Sequence, residues 1–498
     1  MNKLGLPIVP SNASSDRRAA LSATWAHYGW AAIGALVIAW FAIYNGYPVI
    51  YQDTVGYLQR PAQAFAKYGW TSEWSYVRPA EGRSDRAIRA WMAGRSVYYG
   101  SGNAALAALA TTGAVIYLQA YIVAASIAIP LRRLGWRASG YIVAVALLSV
   151  ATTVSVYASA LLPDILMPVA ILDIAMLFSL HDRLTWFDRT FLTLTLVYAA
   201  VSHDTIWLLI GVALLPTLLW ALLRAGRWLI VVPLLLATLA GFGGAKVFDL
   251  AGTVATGEAP LRLPHLTARL ATSDLGRRYM ADHCPQSGFL ICRYRAQAGQ
   301  ADWIQFLFSR KPAIGVYQMV DTPLRRVLSD EQLAFALAVL AYDPIAFAQL
   351  QVSSIGRQLV GFSLHDLHMS NKGAFFRDNL SPRLFAAVME TRSVTSGDRV
   401  MRTLSSVSMV ASILSAALLL AIWWRIRREP LQRATMLAIL LVAGILLNAV
   451  ICATLAGVYD RFQARVIWLL PLAAMVMLAR DRGLPLLPVR KIKESELV

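Results

Sequence analysis

Ten runs of apolar residues constrain this chain more than any other feature of its 498 residues, of which 57% are hydrophobic. A membrane-spanning helix needs about 20 apolar residues, because the hydrocarbon satisfies no backbone polar group. The runs cover 28–47, 104–130, 140–159, 163–180, 187–202, 205–223, 228–247, 404–424, 434–456 and 464–480. The sequence therefore predicts an all-helical polytopic membrane protein with about ten transmembrane helices.

The distribution of basic residues predicts which ends of these helices face the cytoplasm, where short connections are enriched in Lys and Arg. One set of connections is basic: Arg17 and Arg18; Arg132, Arg133 and Arg137; Arg183 and Arg189; Arg224 and Arg227; Arg425, Arg427, Arg428 and Arg433; and Arg482, Arg490, Lys491 and Lys493. The opposite turns near Asp164 and His203 contain no basic residue, and only the turn with Arg461 and Arg465 breaks the pattern. We expect a cytoplasmic amino terminus and a location in a bacterial inner membrane.

This orientation divides the chain into four parts. Residues 1–247 form an N-terminal module of seven helices with a first outer loop at 48–103, and 248–403 form a mostly helical periplasmic segment. Residues 404–480 hold the last helices, and 481–498 form a basic cytoplasmic tail. Within the periplasmic segment, "SDEQLAFALAVLAY" places Ser329 and Gln332 at capping-box spacing, and "DP" then separates it from a second, amphipathic helix.

The formal net charge of +18 does not indicate nucleic acid, because much of the excess lies in connections that would anchor to anionic lipid. Cys284 and Cys292 lie in the periplasmic segment, where oxidation is allowed, so a local disulfide is favoured over two free thiols. A metal site is disfavoured there, since His283 is the nearest further ligand. Cys452, inside the ninth run, is interpreted as a buried apolar residue.

Asp53 is the most unusual of the polar residues that follow a span. It lies in "GYPVIYQDTVGYLQRP", directly after the first apolar run and between Tyr51 and Tyr57. Ionisable groups at a membrane are costly and often mark a functional site. We expect partial desolvation to raise the pKa of Asp53, which would make it a better proton acceptor.

Four further groups of polar residues are predicted to lie at the same outer face. They are Asp164 in "LLPD"; His203 and Asp204 in "VSHDTIW"; Asp460, Arg461, Gln463 and Arg465 in "VYDRFQARVIW"; and His365, Asp366, His368 and Lys372 in "SLHDLHMSNKG". Each group also has a purely structural interpretation. The acids fit helix caps and turns, the arginines fit side chains that reach back to the interface, and the histidines fit a solvated surface.

In these features the chain resembles the GT-C integral-membrane glycosyltransferases, which include oligosaccharyltransferases, protein mannosyltransferases and a bacterial aminoarabinose transferase. The shared features are an inward amino terminus, an acid early in the first outer loop, an acidic turn after the third span and a large outer segment. "YQDTVGY" lacks the paired acids of some members. Such enzymes move a sugar from a polyprenyl-phosphate or polyprenyl-diphosphate donor to a glycan, lipid or protein acceptor.

The resemblance implies that Asp53 is the general base and that Asp164 helps it to bind a divalent cation, Mg or Mn. The leaving lipid phosphate needs cations, and guanidinium groups bind phosphate oxygens in bidentate fashion. Arg95, Arg461 and Arg465 are the candidates. The predicted substrate-binding residues are these three together with Tyr51, Tyr57, His203, Asp204 and Gln463.

Two alternatives stay open. An O-antigen ligase or polymerase type of enzyme would share the lipid-diphosphate donor. A polytopic transporter or lipid flippase would need no transfer chemistry, although the middles of most spans carry no charge and no matching broken helices are seen in two halves.

Overall fold

The computed structural model describes residues 28–77, 94–223, 228–284 and 286–481. Several predictions fall outside these described residues. They concern the basic amino-terminal segment with Arg17 and Arg18, part of the first outer loop, the connection with Arg224 and Arg227, and the basic tail after residue 481.

The described chain is helical throughout, and it contains no β-strand beyond one isolated bridge. The first part contains α1 (Tyr28–Asn45), α2 (Gln52–Ala66), α3 (Val97–Leu109), α4 (Thr112–Arg133), α5 (Ala138–Ala151), α6 (Val154–Ala158), α7 (Leu166–Ser179), α8 (Trp186–Ser202), α9 (Asp204–Leu223) and α10 (Trp228–Thr256). Shorter helices follow: α11 (His265–Ala271), α12 (Asp274–His283), α13 (Arg295–Gln300), α14 (Trp303–Phe308), α15 (Thr322–Asp330), α16 (Gln332–Tyr342), α17 (Pro344–Val360), α18 (Gly373–Asn379), α19 (Pro382–Met389) and α20 (Arg392–Thr395). The chain ends with α21 (Arg399–Ile426), α22 (Arg433–Ala456) and α23 (Asp460–Leu478).

Seven described helices are long and apolar enough to cross a membrane: α1, α4, α9, α10, α21, α22 and α23. The protein is therefore a multi-pass membrane protein, but the predicted count of ten spans is not confirmed. The other three predicted spans correspond to α5, α7 and α8, which have 14, 14 and 17 residues. The run 104–130 is not one helix, because the chain breaks at Ala110 and Thr111 between α3 and α4.

The two ends of the helix bundle differ in charge chemistry. At one end, Arg133 pairs with the buried Asp188, and Arg433 pairs with Asp182. Four segments form the other end: the segment after α1, the start of α7, the α8–α9 turn and the start of α23. We call this second end the site face.

The long segment before α21 packs in two different ways. Its first part, from α11 to α16, forms a separate apolar core around Phe306, Tyr317 and Phe335, whereas residues from Leu364 onward pack into the main helix core. Cys284 and Cys292 form a disulfide in the first part.

The capping-box prediction at Ser329 is wrong. Ser329 lies inside α15, where its hydroxyl donates to the carbonyl of Arg325, and Glu331 precedes α16. The predicted break at "DP" is confirmed, because Asp343 caps α17 by accepting the Ala346 N–H at 2.9 Å.

One pairing of extended backbone brings the two predicted acids together. Val49 N donates to Ser159 O at 2.8 Å, and Leu161 N donates to Val49 O at 3.1 Å, which forms a parallel bridge between Val49 and Ala160. Asp53 and Asp164 each come four residues after a bridge partner. In a parallel pair, equal spacing from the bridge carries both acids to the same end.

A close contact between α2 and α3 places Arg95 beside Asp53. A methyl group added to Gly100 would lie 2.2 Å from the carbonyl oxygen of Tyr57, so only glycine allows the two helices to approach this closely. Arg95 immediately precedes α3, and Asp53 lies in the first turn of α2.

We predict that Gly100→Ala lowers the free energy of unfolding by about 1–3 kcal/mol, because the added methyl group forces α2 and α3 apart. Gly102→Ala is the matched control on the same helix, since its methyl group would meet no atom within 4 Å. Thermal unfolding in detergent measures both. Equal melting temperatures for the two variants would contradict the close contact.

Candidate functional site

Five charged side chains form a continuous chain of ion pairs at the site face. Arg95 pairs with Oδ1 of Asp53, and Arg461 donates from both Nη atoms to Oδ2 of Asp53 at 3.3 Å. Arg461 Nε lies 3.8 Å from Oδ1 of Asp164, which accepts from Arg465 Nη1 at 3.2 Å. The order is thus Arg95, Asp53, Arg461, Asp164, Arg465, with three positive charges against two negative ones.

Arg465, at the inner end of this chain, is held by polar groups of α22. Its Nη2 donates to Oδ1 of Asn448 at 3.1 Å and to Sγ of Cys452 at 3.3 Å. Asn448 in turn donates to Oε1 of Gln463 at 3.0 Å. Asn448 was not predicted from the sequence to belong to the site. The interpretation of Cys452 as a buried apolar residue is incomplete, because its sulfur accepts a hydrogen bond from Arg465.

Aromatic rings fix the central arginine. The Arg461 guanidinium carbon lies 4.4 Å from the ring centroid of Tyr51, and the Tyr51 hydroxyl is 3.1 Å from the hydroxyl of Tyr459. The Tyr157 hydroxyl donates to the backbone carbonyl of Arg461 at 2.9 Å. A guanidinium stacked on an aromatic face gains attraction beyond its ion pairs.

Exposure falls steadily along the chain of ion pairs. The side chain of Arg95 is 35% exposed and that of Asp53 21%, whereas Arg461 is 9%, Asp164 3% and Arg465 0% exposed. Only the Arg95–Asp53 end can therefore touch a substrate directly. The buried end carries charges that are costly to bury without partners.

The expectation of a raised pKa at Asp53 is wrong. Burial does act to raise this pKa, but the guanidinium groups of Arg95 and Arg461 outweigh burial and hold it below its ordinary value. Asp53 also lies in the first turn of α2, where the helix dipole favours a negative charge. The carboxylate is accordingly ionised at neutral pH, with each oxygen paired to an arginine.

An open pocket lies beside the exposed end of the chain of ion pairs. Arg95, Tyr57 and His203 line it together with the α8–α9 turn, α10 and Arg262. The Arg95 guanidinium carbon lies 5.7 Å from the Tyr57 ring centroid. Two guanidinium groups, Arg95 and Arg262, and two carboxylates, Asp204 and Asp249, line the pocket together with Ala245 and Phe248 of α10.

His203 lines this pocket, and its imidazole ring is neutral. Its Nδ1 accepts the backbone N–H of Thr205 at 3.2 Å, so in the neutral ring the proton resides on Nε2. Burial and the guanidinium of Arg465 lower the pKa of His203 to about 4. The ring is therefore uncharged above about pH 5.

The other predicted residues take different places. Asp204 is an exposed residue at the pocket, and Gln463 is fully buried behind Arg465, away from solvent. His365 is largely exposed and lies 3.7 Å from Asp398, outside the chain of ion pairs. Asp366 is closer to the site, since it interacts with Tyr459 and Arg461, and burial raises its pKa.

The residues present do not fit a divalent cation held by Asp53 and Asp164. The Arg461 guanidinium lies between the two carboxylates and pairs with both. Within the described chain, no group of three or more His, Cys, Asp or Glu side chains is arranged to hold a metal ion. Metal ligation here would require displacing an arginine.

One acid within the helix bundle was not recognised in the sequence. Asp173, in the middle of α7, is fully buried beside Ser126 of α4 and Thr195 of α8. Neither of its carboxylate oxygens makes a hydrogen bond of normal geometry to the described residues. Asp173 was overlooked in the sequence because it is a single charged residue among the apolar residues of α7.

Comparison of the chain with protein-family models, with curated proteins and with solved structures gives no match.

We predict that Asp164→Asn costs about 3–5 kcal/mol of stability, because it removes the carboxylate that pairs with the buried Arg465 and one of the two carboxylates beside the buried Arg461. Asp53→Asn removes a partly exposed carboxylate, so its cost is clearly smaller. Thermal unfolding of the two variants in the same detergent measures the difference. A larger loss for Asp53→Asn would contradict the assignment of Asp164 to the buried end.

Proposed function

We propose that this protein is a membrane glycosyltransferase of the GT-C type, which moves a sugar from a polyprenyl-phosphate or polyprenyl-diphosphate donor to an acceptor hydroxyl at the extracytoplasmic face. Asp53 is the general base in this proposal. Arg95 and His203 bind the lipid-linked phosphate in this proposal.

The observation that carries the proposal is the exposed end of the ion-pair chain. There the guanidinium of Arg95, which pairs with Asp53, lines a pocket that is also lined by His203 and by the apolar residues Ala245 and Phe248 of α10. An anionic headgroup attached to a hydrocarbon chain matches this combination of cationic, hydrogen-bonding and apolar surfaces. A purely structural ion pair would need neither the pocket nor the donor.

The transfer step can be written for these residues. Asp53 accepts the proton of the acceptor hydroxyl, and the oxygen of that hydroxyl attacks the anomeric carbon of the sugar. The bond from this carbon to the phosphate oxygen breaks, and the lipid phosphate leaves with the electron pair. Arg95 and Nε2–H of His203 stabilise the charge that develops on the leaving phosphate.

Donor binding would also change the state of the base. A phosphate that binds Arg95 in bidentate fashion competes with Asp53 for the same guanidinium. Asp53 then keeps only Arg461 as a cationic partner, and its proton affinity rises when the donor is in place. Arg461, Asp164 and Arg465 are positioning residues, because burial keeps them from the substrate.

We predict that Asp53→Asn lowers transfer of labelled sugar from a polyprenyl-phosphate donor by about 10²–10⁴-fold, the usual contribution of a general base. Asp182→Asn is the matched control, because it breaks an arginine pair at the opposite end of the bundle. Reconstituted vesicles with purified protein provide the assay. Full activity of folded Asp53→Asn would refute the role of this carboxylate.

The pH dependence of kcat/KM distinguishes Asp53 from Asp366 as the base. The arginines hold the pKa of Asp53 below the ordinary value of about 3.9, so Asp53 is ionised at every pH from 5 to 8. We predict that kcat/KM shows no acidic limb in that range. Burial raises the pKa of Asp366, and an acidic limb that disappears in Asp366→Glu or shifts with it would assign the base to Asp366 instead.

Cation-coupled or proton-coupled transport is a second candidate, and Asp173 is the observation that favours it. A fully buried acid inside a membrane bundle often marks an ion pathway. Under the transferase proposal, we predict that vesicles containing the protein dissipate no proton or sodium gradient and that Asp173→Asn leaves sugar transfer within about twofold. Gradient dissipation that Asp173→Asn abolishes would favour transport.

A further inference from the structure

Two consecutive helices of the long segment, α16 and α17, are joined by a sharp bend of 113° at Asp343. Together they are as apolar as a membrane span. They have 11 and 17 residues, which at 1.5 Å per residue gives roughly 17 Å and 26 Å. Neither crosses about 30 Å of hydrocarbon, and the bend prevents them from crossing together.

The exposed side of α17 is more apolar than that of a helix on the surface of a water-soluble domain. Ile345, Val352 and Val360 on this side are each at least 70% exposed, with Gln349 and Ser353 exposed between them, while the buried side carries Ser354 and Gln358 beside Phe347 and Leu350. On a helix that faces water, the exposed positions are predominantly polar. Exposed Arg357 lies in the last turn of α17, where a long side chain can reach the interface.

The inward polar side of α17 is tied to the ends of the spanning helices. Gln358 donates to the carbonyl of Tyr459 and accepts its backbone N–H, both at 2.9 Å. Gln351 accepts from Arg269 at 2.6 Å, and Arg269 also donates to the carbonyl of Thr454 in α22. The helix is thereby fixed at the level where α22 ends and α23 begins.

The outward side of α16 continues the same apolar surface. Leu333, Leu337 and Leu340 recur at helical spacing and are exposed, while Phe335 and Val339 on the opposite side are fully buried. A helix that is apolar on all sides is not stable against water and requires an apolar environment on its second side.

We propose that α16 and α17 form an interfacial elbow whose outward face lies in the hydrocarbon of the membrane leaflet next to the site face. Lipid, rather than a protein partner, is the occupant because the surface is continuous with the exposed apolar face of α22, against which α17 packs. Leu446, Val450 and Leu455 of that face are exposed on a helix that spans the membrane.

The elbow brings hydrocarbon close to the candidate site. Gln358 holds Tyr459, whose hydroxyl meets that of Tyr51, and the Tyr51 ring supports Arg461. The inference about lipid contact is independent of the reaction proposed above, since it depends only on the polarity and attachment of the two helices.

Site-directed spin labelling of the full-length protein in phosphatidylcholine–phosphatidylglycerol vesicles tests the elbow. The single variants Leu337→Cys, Ile345→Cys and Val352→Cys are spin-labelled. Background reaction of the label with the native cysteines is measured in the parent protein, where Cys452 is buried and the other two cysteines form a disulfide. Collision rates with oxygen, which concentrates in lipid, are compared with those of a water-soluble nickel complex. Leu222→Cys on α9 is the lipid control, and Asp274→Cys, whose native side chain is 91% exposed, is the water control.

We expect all three positions to give the high ratio of oxygen to nickel collisions found at Leu222→Cys. A ratio like that of Asp274→Cys would overturn the proposal, because it would show that the apolar face meets water. Protection from both reagents would also overturn it, because it would show that a protein surface, and not lipid, covers the elbow.

Discussion

The burial of Asp164 between two arginines is the interaction on which the site depends. Removing two guanidinium groups from water is costly, and the cost is recovered only when carboxylates and hydrogen-bond acceptors surround them. Asp164, Asn448 and Cys452 supply these partners for Arg465, and Tyr51 and Asp53 supply them for Arg461. Because the partners come from the segment after α1, the turn before α7, α22 and α23, one charge cluster joins elements that are far apart in sequence.

The chain of ion pairs has a buried end, which stabilises the structure, and a partly exposed end, which a ligand can reach. The buried end has no access to solvent, whereas Arg95 lines a pocket and its partner Asp53 is partly exposed. An ion pair that is stable yet reachable can exchange its partner for an anionic ligand without disturbing the buried pairs. The Gln358–Tyr459 contact links the same cluster to α17, so the site and the apolar elbow share one support.

Part of this site could be predicted from the sequence. Arg461 and Arg465 drew attention because they break the positive-inside pattern, and Asp53 because it follows a span between aromatic residues. Their mutual contacts depend on a single bridge between Val49 and Ala160 and on a glycine contact, and such isolated pairings leave no periodic signal.

Two other predictions are wrong or not confirmed, for identifiable reasons. The pKa of Asp53 was predicted in the wrong direction because the two arginines approach it from residues 42 and 408 positions away in sequence. The predicted count of ten spans is not confirmed, because seven described helices are long and apolar enough to cross a membrane, whereas α5, α7 and α8 are shorter. A long apolar run indicates that a helix is buried, but a helix buried against protein and a helix buried in lipid give the same apolar run.

The most direct test is a cryo-electron microscopy structure of the protein in lipid nanodiscs with a non-transferable polyprenyl-phosphate sugar analogue. We expect phosphate density within hydrogen-bonding distance of Arg95 and of Nε2 of His203. We also expect that the Arg95–Asp53 pair is broken while the contacts among Arg461, Asp164 and Arg465 remain. Phosphate bound elsewhere, with the Arg95–Asp53 pair intact, would contradict the proposed role of this site.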